Sequence, residues 1–261
     1  MKLNGIYYEC AGHGDAIVLL HGLAADRRAW DDQFDALSRR YRVVRIDLRG
    51  FGRSVAISEP YSHTEDIKAI LDRLEIRWAH IVGHSMGAGI GGDFVVTHPE
   101  VSRSWVLANG TLTGWPLKHL MPTLLPIVAT AMKGDIVGAK RMWIEHAMFE
   151  PARRNPQVRA KLQRVVDDYS GWHFANPKNP KELKPPLSAV DVLEKLRVPT
   201  LAIVGGLDLP DFQEIAAAVA ARVPGATKVV IPGAGHLANV EQPEQFNRVL
   251  LQFLRGGFAF G

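Results

Sequence analysis

Three residues of this chain are of types that together can transfer an acyl group: Ser85, Asp208 and His236. A serine hydroxyl is a poor nucleophile at neutral pH. It needs a base within hydrogen-bond reach, and the base needs a partner that fixes its tautomer and balances the charge it acquires. Ser85 stands in Gly83-His84-Ser85-Met86-Gly87. Gly-x-Ser-x-Gly alone is a weak signal, because glycine is common. Its context strengthens it: Ile81-Val82 reads as the end of a buried strand, and residues 90–96 read as a helix. A serine between strand and helix sits on a very sharp turn, where glycines on both sides avoid a collision. The turn lifts the hydroxyl above the sheet and sets the Met86 N–H at a helix N-terminus, a place suited to developing negative charge. Asp208 and His236 each follow an apolar run of their own, residues 199–206 and 226–231. Side chains at the carboxyl ends of parallel strands converge on one crevice.

The elements that position these groups can be traced along the chain. Residues 1–8 alternate apolar and polar and read as a strand; residues 16–20 form a continuous apolar run, as a strand buried on both faces does. A turn-rich loop, residues 21–26, leads to an amphipathic helix over 28–40. Residues 42–47 read as a strand and end in the loop 48–54. Helical periodicity over 63–74 has Ser62 or Thr64 as its N-cap. The Ser85 strand and helix follow, and then a strand over 105–109. This alternation predicts an α/β fold: a doubly wound, mostly parallel sheet with helices on both faces. The rhythm breaks after Asn109. Residues 112–188 hold three tryptophans, several prolines and helical stretches over 138–149 and 156–169, but no convincing strand. That length is far beyond a normal crossover, so the segment is expected to be a helical cap inserted into a core made of residues 1–111 and 189–261. Helices over 212–222 and 243–254 complete the core, and residues 256–261 are expected to form a short frayed tail.

Composition narrows the function classes. The chain has 261 residues, 47% hydrophobic and 22% charged, with net charge +4. Its lysines and arginines are scattered rather than gathered into a stripe, which argues against nucleic acid as a partner. No stretch approaches the roughly 18 apolar residues of a membrane span, and the first residues do not resemble a secretion signal. A cytoplasmic protein without a membrane partner is expected. Cys10 is the one cysteine, so there is neither an intrachain disulfide nor a cysteine-based metal site; it is expected to act as a small buried hydrophobe. No metal and no organic cofactor is indicated. The glycines do not form Gly-x-Gly-x-x-Gly after the first strand, as a dinucleotide site would require.

With His21-Gly22, residues 47–54, Gly83-His84-Ser85-Met86-Gly87, Gly205-Gly206-Leu207-Asp208 and Gly235-His236 in place, the chain resembles the α/β-hydrolase fold family over nearly its whole length. The resemblance implies Ser85 as nucleophile, His236 as general base and then acid, and Asp208 as the orienting acid. It also implies an oxyanion hole from the backbone N–H groups of Leu23 and Met86. Asp211 lies in the same loop as Asp208 and is its rival as the acid, or else a turn or helix-cap residue. Asn109 occupies a place where some members of the family keep the acid, but an amide cannot balance an imidazolium. His21 is expected to shape the oxyanion loop, His84 to pack under the turn, and Asp47 and Arg49 to tie their loop in place.

Serine at position 85 separates the chain from the dehalogenases and epoxide hydrolases of this fold, which attack with a carboxylate. The segments around His21–Ser54 and Ser85 look most like the small bacterial esterases and enol-lactonases. This implies a serine hydrolase cleaving a carboxylic ester or lactone of small to medium apolar size through an acyl-enzyme. The alternatives are a carbon–carbon bond hydrolase of vinylogous diketones, from whose usual oxyanion loop Leu23-Ala24-Ala25-Asp26 departs, and a non-catalytic binding protein on the same fold. From the cap, Trp115, Met121, Trp143 and Trp172 are expected to touch substrate, with Leu237 beside the histidine; Met142, Phe149 and Phe174 are further candidates. The expected assembly is a monomer or a homodimer.

Overall fold

The computed structural model describes residues 1–256; the expected tail at 257–261 lies outside the described residues. Eight strands form one sheet: β1 (Lys2–Leu3), β2 (Ile6–Ala11), β3 (Ala16–Leu20), β4 (Arg42–Asp47), β5 (Ala79–His84), β6 (Ser102–Ala108), β7 (Thr200–Gly205) and β8 (Thr227–Ile231). Their spatial order is β1-β2-β4-β3-β5-β6-β7-β8. The pairings β1–β2 and β2–β4 are antiparallel and the rest are parallel. The expected single first strand is broken by Asn4-Gly5, both at positive φ, 48° and 82°. These are the angles of a two-residue hairpin turn, for which Asn-Gly is a strong local signal.

Alternate residues of the parallel strands feed two cores. Val18, Leu20, Ile81, Leu107, Ala202 and Val204 face α2 (His63–Arg73), α3 (Met86–Thr97) and α9 (Pro210–Arg222). Ile17, Leu19, Val82, Val106, Leu201 and Ile203 share a core with α1 (Asp31–Leu37), α10 (Ala238–Glu241) and α11 (Pro243–Leu254). Burial on both faces explains why these strands read as unbroken apolar runs. The helix expected over 28–40 is shorter. A 3-10 turn over Arg27–Trp30, capped by the Asp26 carboxylate accepting from the Arg28 N–H at 2.9 Å, precedes α1.

Between β6 and β7 lie α4 (Leu120–Met132), α5 (Ile136–Ile144), α6 (Glu150–Arg153), α7 (Pro156–Asp168) and α8 (Trp172–Ala175). Helix α5 ends earlier than the periodicity suggests, and a separate 3-10 turn covers Ala147–Phe149. Helix α4 contains Pro126, which hides it in the sequence. The inner side chains of these helices, among them Ile127, Trp143, Phe149 and Phe174, continue the first core without a break. Ion pairs Lys161–Asp32 (2.8 Å) and Arg28–Asp168 (2.8 Å) join α7 to the segment around α1. Among the described residues no helix is long and apolar enough to cross a membrane.

Candidate active site

Ser85 joins the central strand β5 to α3 with φ 53° and ψ −120°, a conformation that costs a non-glycine residue free energy. Neighbouring glycines make it possible. A Cβ on Gly83 would stand 2.2 Å from the Gly87 carbonyl oxygen, and one on Gly87 would stand 2.4 Å from the Leu20 oxygen. The turn is held from both sides. The Ser85 N–H donates to the Ala108 carbonyl (3.1 Å), and the Ser85 carbonyl accepts from the N–H groups of Ala88 (3.0 Å) and Thr111 (3.1 Å).

The three side chains expected from the sequence meet in one line. Ser85 Oγ lies 3.0 Å from His236 Nε2, and His236 Nδ1 lies 3.2 and 3.1 Å from the two oxygens of Asp208. Asp208 sits just beyond β7 and His236 just beyond β8, so neighbouring strand ends deliver both groups. Both side chains are buried, a setting in which such bonds are stronger than in water. The carboxylate also accepts from the Leu209 N–H (2.8 Å) and from Asn109 Nδ2 (2.8 Å); the second Nδ2 hydrogen goes to the Gly235 carbonyl (3.0 Å). Asn109, discounted as an acid, therefore ties the acid to the histidine loop. Its φ of 45° suits an asparagine better than most residues. Glu241 holds the same loop by accepting from the N–H groups of Gly235 (2.8 Å) and Leu237 (2.9 Å).

Asp211 has a different occupation. It is buried, and its carboxylate accepts from the backbone N–H groups of His119 (2.9 Å) and Leu120 (2.6 Å), with His119 Nδ1 at 3.2 Å. It caps the start of α4 rather than facing His236. Asp208, in the loop after β7, and Asp211, in the first turn of α9, thus serve two structures.

Two further histidines and their loops frame the serine. Leu48 N–H donates to His21 Nε2 (3.0 Å), so His21 Nδ1 carries the proton and donates to the Gly22 carbonyl (2.8 Å). This fixes the 21–26 loop, in which Ala24 is at φ 55°. Gly22 presses on the turn: a Cβ there would meet Ser85 Cβ at 3.0 Å. His84 Nε2–H donates to the His236 carbonyl (2.8 Å), and burial pushes its imidazole down to about 3, so it stays neutral. The N–H of Met86 opens α3, and neither it nor the Leu23 N–H meets a protein acceptor among the described residues. Asp47 accepts from the N–H groups of Arg27 and Arg53 (2.8 Å each), and Arg49 pairs with Asp66 (2.7 Å).

Two cavities open on Ser85 and share Leu23 and Trp143. One, about 60 Å³, lies against α7 and includes Phe149, Leu237 and Val240. The other, about 350 Å³, runs under α4 and includes Trp115, Leu112, Met148 and Phe212. Trp115, Trp143 and Leu237, expected to touch substrate, line these cavities. Met121 and Trp172 do not line either cavity. Met121 is on the outer side of α4, 49% exposed, while Leu120, Leu124 and Ile127 of that helix face inward. Trp172 packs edge-on against His173 at 5.0 Å. Met142 is 38% exposed, and Phe174 is buried behind Trp143. Among the described residues no group of three His, Cys, Asp or Glu side chains could hold a metal ion.

Residues 17–249 match the model of the alpha/beta hydrolase family. The chain belongs to this family. It is similar to a protein from Caulobacter sp. (strain K31) named as the carbamate hydrolase RutD, with 29% identity covering 98% of each chain. It is also similar to the 2-hydroxy-6-oxo-6-phenylhexa-2,4-dienoate hydrolase of Burkholderia cepacia, with 26% identity covering 97% of this chain and 92% of that one. Among solved structures, a thermophilic esterase from Thermogutta terrifontis superposes with a TM-score of 0.84 at 25% identity, over 97% of this chain and 94% of that one. Est816, described as an N-acyl homoserine lactone degrading enzyme, superposes with a TM-score of 0.77 at 28% identity, over 97% and 98%. The names of these alpha/beta hydrolases span carbamates, carbon–carbon bonds, esters and lactones.

Proposed function

We propose that the protein is a serine hydrolase of carboxylic esters or lactones that works through an acyl-enzyme. The observation that carries this reading is the hydrogen-bonded line from Ser85 through His236 to Asp208, with the unspent N–H groups of Leu23 and Met86 on the loop and helix that adjoin Ser85. Ser85 Oγ attacks the acyl carbonyl carbon as His236 Nε2 takes its proton. The imidazolium is balanced by Asp208 through Nδ1–H. The Leu23 and Met86 N–H groups receive the oxyanion as it forms. Collapse returns the proton from His236 to the leaving alcohol oxygen, which in a lactone stays tethered to the acyl group. Water, deprotonated by His236, then releases the acid and restores the serine. Residues 112–188 act as a cap whose inner wall, with Trp115 and Trp143, selects the acyl or alcohol part. No bound metal or organic cofactor enters these steps.

A fluorophosphonate probe tests the nucleophile. The protein should be labelled covalently at Ser85, and Ser85→Ala should abolish both labelling and p-nitrophenyl acetate turnover; an intact chain that resists the probe would point to a binding protein instead. A panel of esters, lactones, carbamates and vinylogous diketones then ranks the bond cleaved. Preference for the diketone would replace the ester reading.

A further inference from the structure

The larger cavity has a polar end that acyl transfer at Ser85 does not use. Tyr61, His63, His173, Glu182 and Lys184 line it, and they come from three separate stretches of chain. Each holds hydrogen-bonding capacity that no protein group takes up. The Tyr61 hydroxyl accepts from Asn179 Nδ2 (2.8 Å), and its own proton has no acceptor. His63 is 6% exposed, yet neither ring nitrogen is hydrogen-bonded, and Nδ1 is fully buried. Lys184 and Glu182 make no ion pair within 4 Å among the described residues, although the Lys184 ammonium lies close enough to offset part of the rise that burial gives the Glu182 carboxyl.

His173 can be read more closely. Its backbone N–H donates to the Tyr169 hydroxyl at 2.9 Å, and the same hydroxyl lies 3.2 Å from its Nδ1. That hydroxyl has no other acceptor, so its proton goes to Nδ1. Nε2 therefore carries the ring hydrogen, as a buried donor without a partner. The ring is held flat on Phe51, with centroids 4.0 Å apart and planes within 8°. Burial keeps His63 near 3 and His173 near 4, so both are neutral at pH 7. Unsatisfied buried donors destabilise a fold and call for an explanation. Two buried ring nitrogens without partners, His63 Nδ1 and His173 Nε2, border this one cavity, the second on a rigidly stacked ring, and the ammonium of the exposed Lys184 stands with them, as a ligand site requires. The donors Tyr61 O–H, His173 Nε2–H and the Lys184 ammonium outnumber the single carboxyl. Between them and Ser85 the wall is apolar, with Leu112, Trp115 and Leu124.

We infer that this end of the cavity recognises a second oxygen-bearing group, a carbonyl or a carboxylate, carried on the acyl arm of the substrate. The inference rests on the acyl-transfer reading of Ser85 and adds a substrate class to it: an acyl chain with an apolar spacer and a polar far end. A site built to hydrogen-bond one group rejects analogues that lack it, because its own polar atoms are then left unpaired.

The test compares p-nitrophenyl alkanoates of graded length with p-nitrophenyl monoesters of dicarboxylic acids and of their monoamides. At the best length, the oxygen-bearing esters should exceed the matched alkanoate by about tenfold or more in kcat/KM, mainly through KM. His173→Phe keeps the stack on Phe51 but removes the donor. It should lower that ratio about tenfold, while the unfolding temperature changes little, because the unpaired Nε2–H goes as the Tyr169 hydroxyl loses Nδ1 as its acceptor. A preference for carboxylate over amide that disappears in Lys184→Met supports the inference with the ammonium dominant; equal use of both supports it with the neutral donors dominant. Alkanoates preferred at every length, with a ratio that His173→Phe leaves unmoved, overturn it. If wild type cleaves no ester, the nucleophile reading fails separately. Calorimetric binding of adipic acid monoamide to Ser85→Ala then decides: binding that His173→Phe weakens supports the polar end, and no binding overturns it.

Discussion

Two sets of polar side chains flank Ser85, and they differ in how their hydrogen-bonding capacity is used. On the sheet side, Asp208 accepts from His236, Asn109 and Leu209, His84 is fixed by the His236 carbonyl, and His21 bonds at both ring nitrogens. On the cap side, His63 Nδ1 and His173 Nε2 are buried without a partner, while Glu182 and the exposed Lys184 line the same cavity; among those sheet-side groups the corresponding orphan is Asn109 Oδ1 alone. The difference teaches that burial alone does not mark a working group. Saturated groups hold a geometry and tolerate little change. Unsaturated ones lower stability until something else pairs with them.

The largest expected effect breaks the saturated side. Asp208→Asn keeps the shape but cannot balance an imidazolium, so kcat should fall by about four orders of magnitude with little change in fold; a loss below tenfold, measured on any ester the wild type cleaves, would remove Asp208 from the mechanism. The next effect compares the two sides by pH. His63 and His84, one on each side, are both held near 3 by burial. Their folded-state values lie below the usual 6.5, so the unfolded chain takes up the protons first. The stability they contribute is intact above about pH 6.5 and is lost as pH falls toward 3, at about 1.4 kcal/mol per pH unit for each group. His63→Phe and His84→Gln should each remove about one proton of this dependence between pH 6 and 4 in denaturant titrations, so saturation would not matter to the slope. Equal slopes in wild type and both variants would contradict this.

A smaller effect separates the aspartates. Asp211→Asn should cost about 1 kcal/mol in unfolding free energy: an amide oxygen in place of Oδ2 still accepts from both backbone donors, but without the carboxylate's charge and with an NH2 group facing the His119 N–H in place of Oδ1. It should reduce kcat far less than Asp208→Asn; the reverse ranking would exchange their roles. The smallest is Asn109→Gly, which permits the positive φ and removes the amide bridge. About a tenfold drop in kcat is expected, seen with the same ester, while the temperature midpoint moves little.

Much of this was legible before any coordinates. β3, β5 and β7 announce themselves because both faces are buried, and Ser85 and Asp208 stand out because each follows such a run, whereas His236 follows β8, an edge strand that is only partly buried. Asp208 reads as the acid with Asp211, three residues on, as its rival, and the partners of the two distinguish them. Asn109 was passed over because it was weighed as a replacement for the acid rather than as a donor to it. The Asn4-Gly5 turn was a readable signal hidden by the alternation around it. The polar end of the larger cavity has no periodic signature: a strand-to-helix connection at Tyr61 and His63, helix α8 at His173 and a loop at Glu182 and Lys184 build it jointly. Met121 and Trp172 were mistaken for pocket residues because size and apolarity do not reveal which way a short cap helix faces.

The bonds from Asp211 to the first turn of α4 join the roof of the larger cavity to the loop that carries Asp208. That strap is anchored three residues from Asp208, so the seat of the roof and the far partner of His236 share one short stretch of backbone.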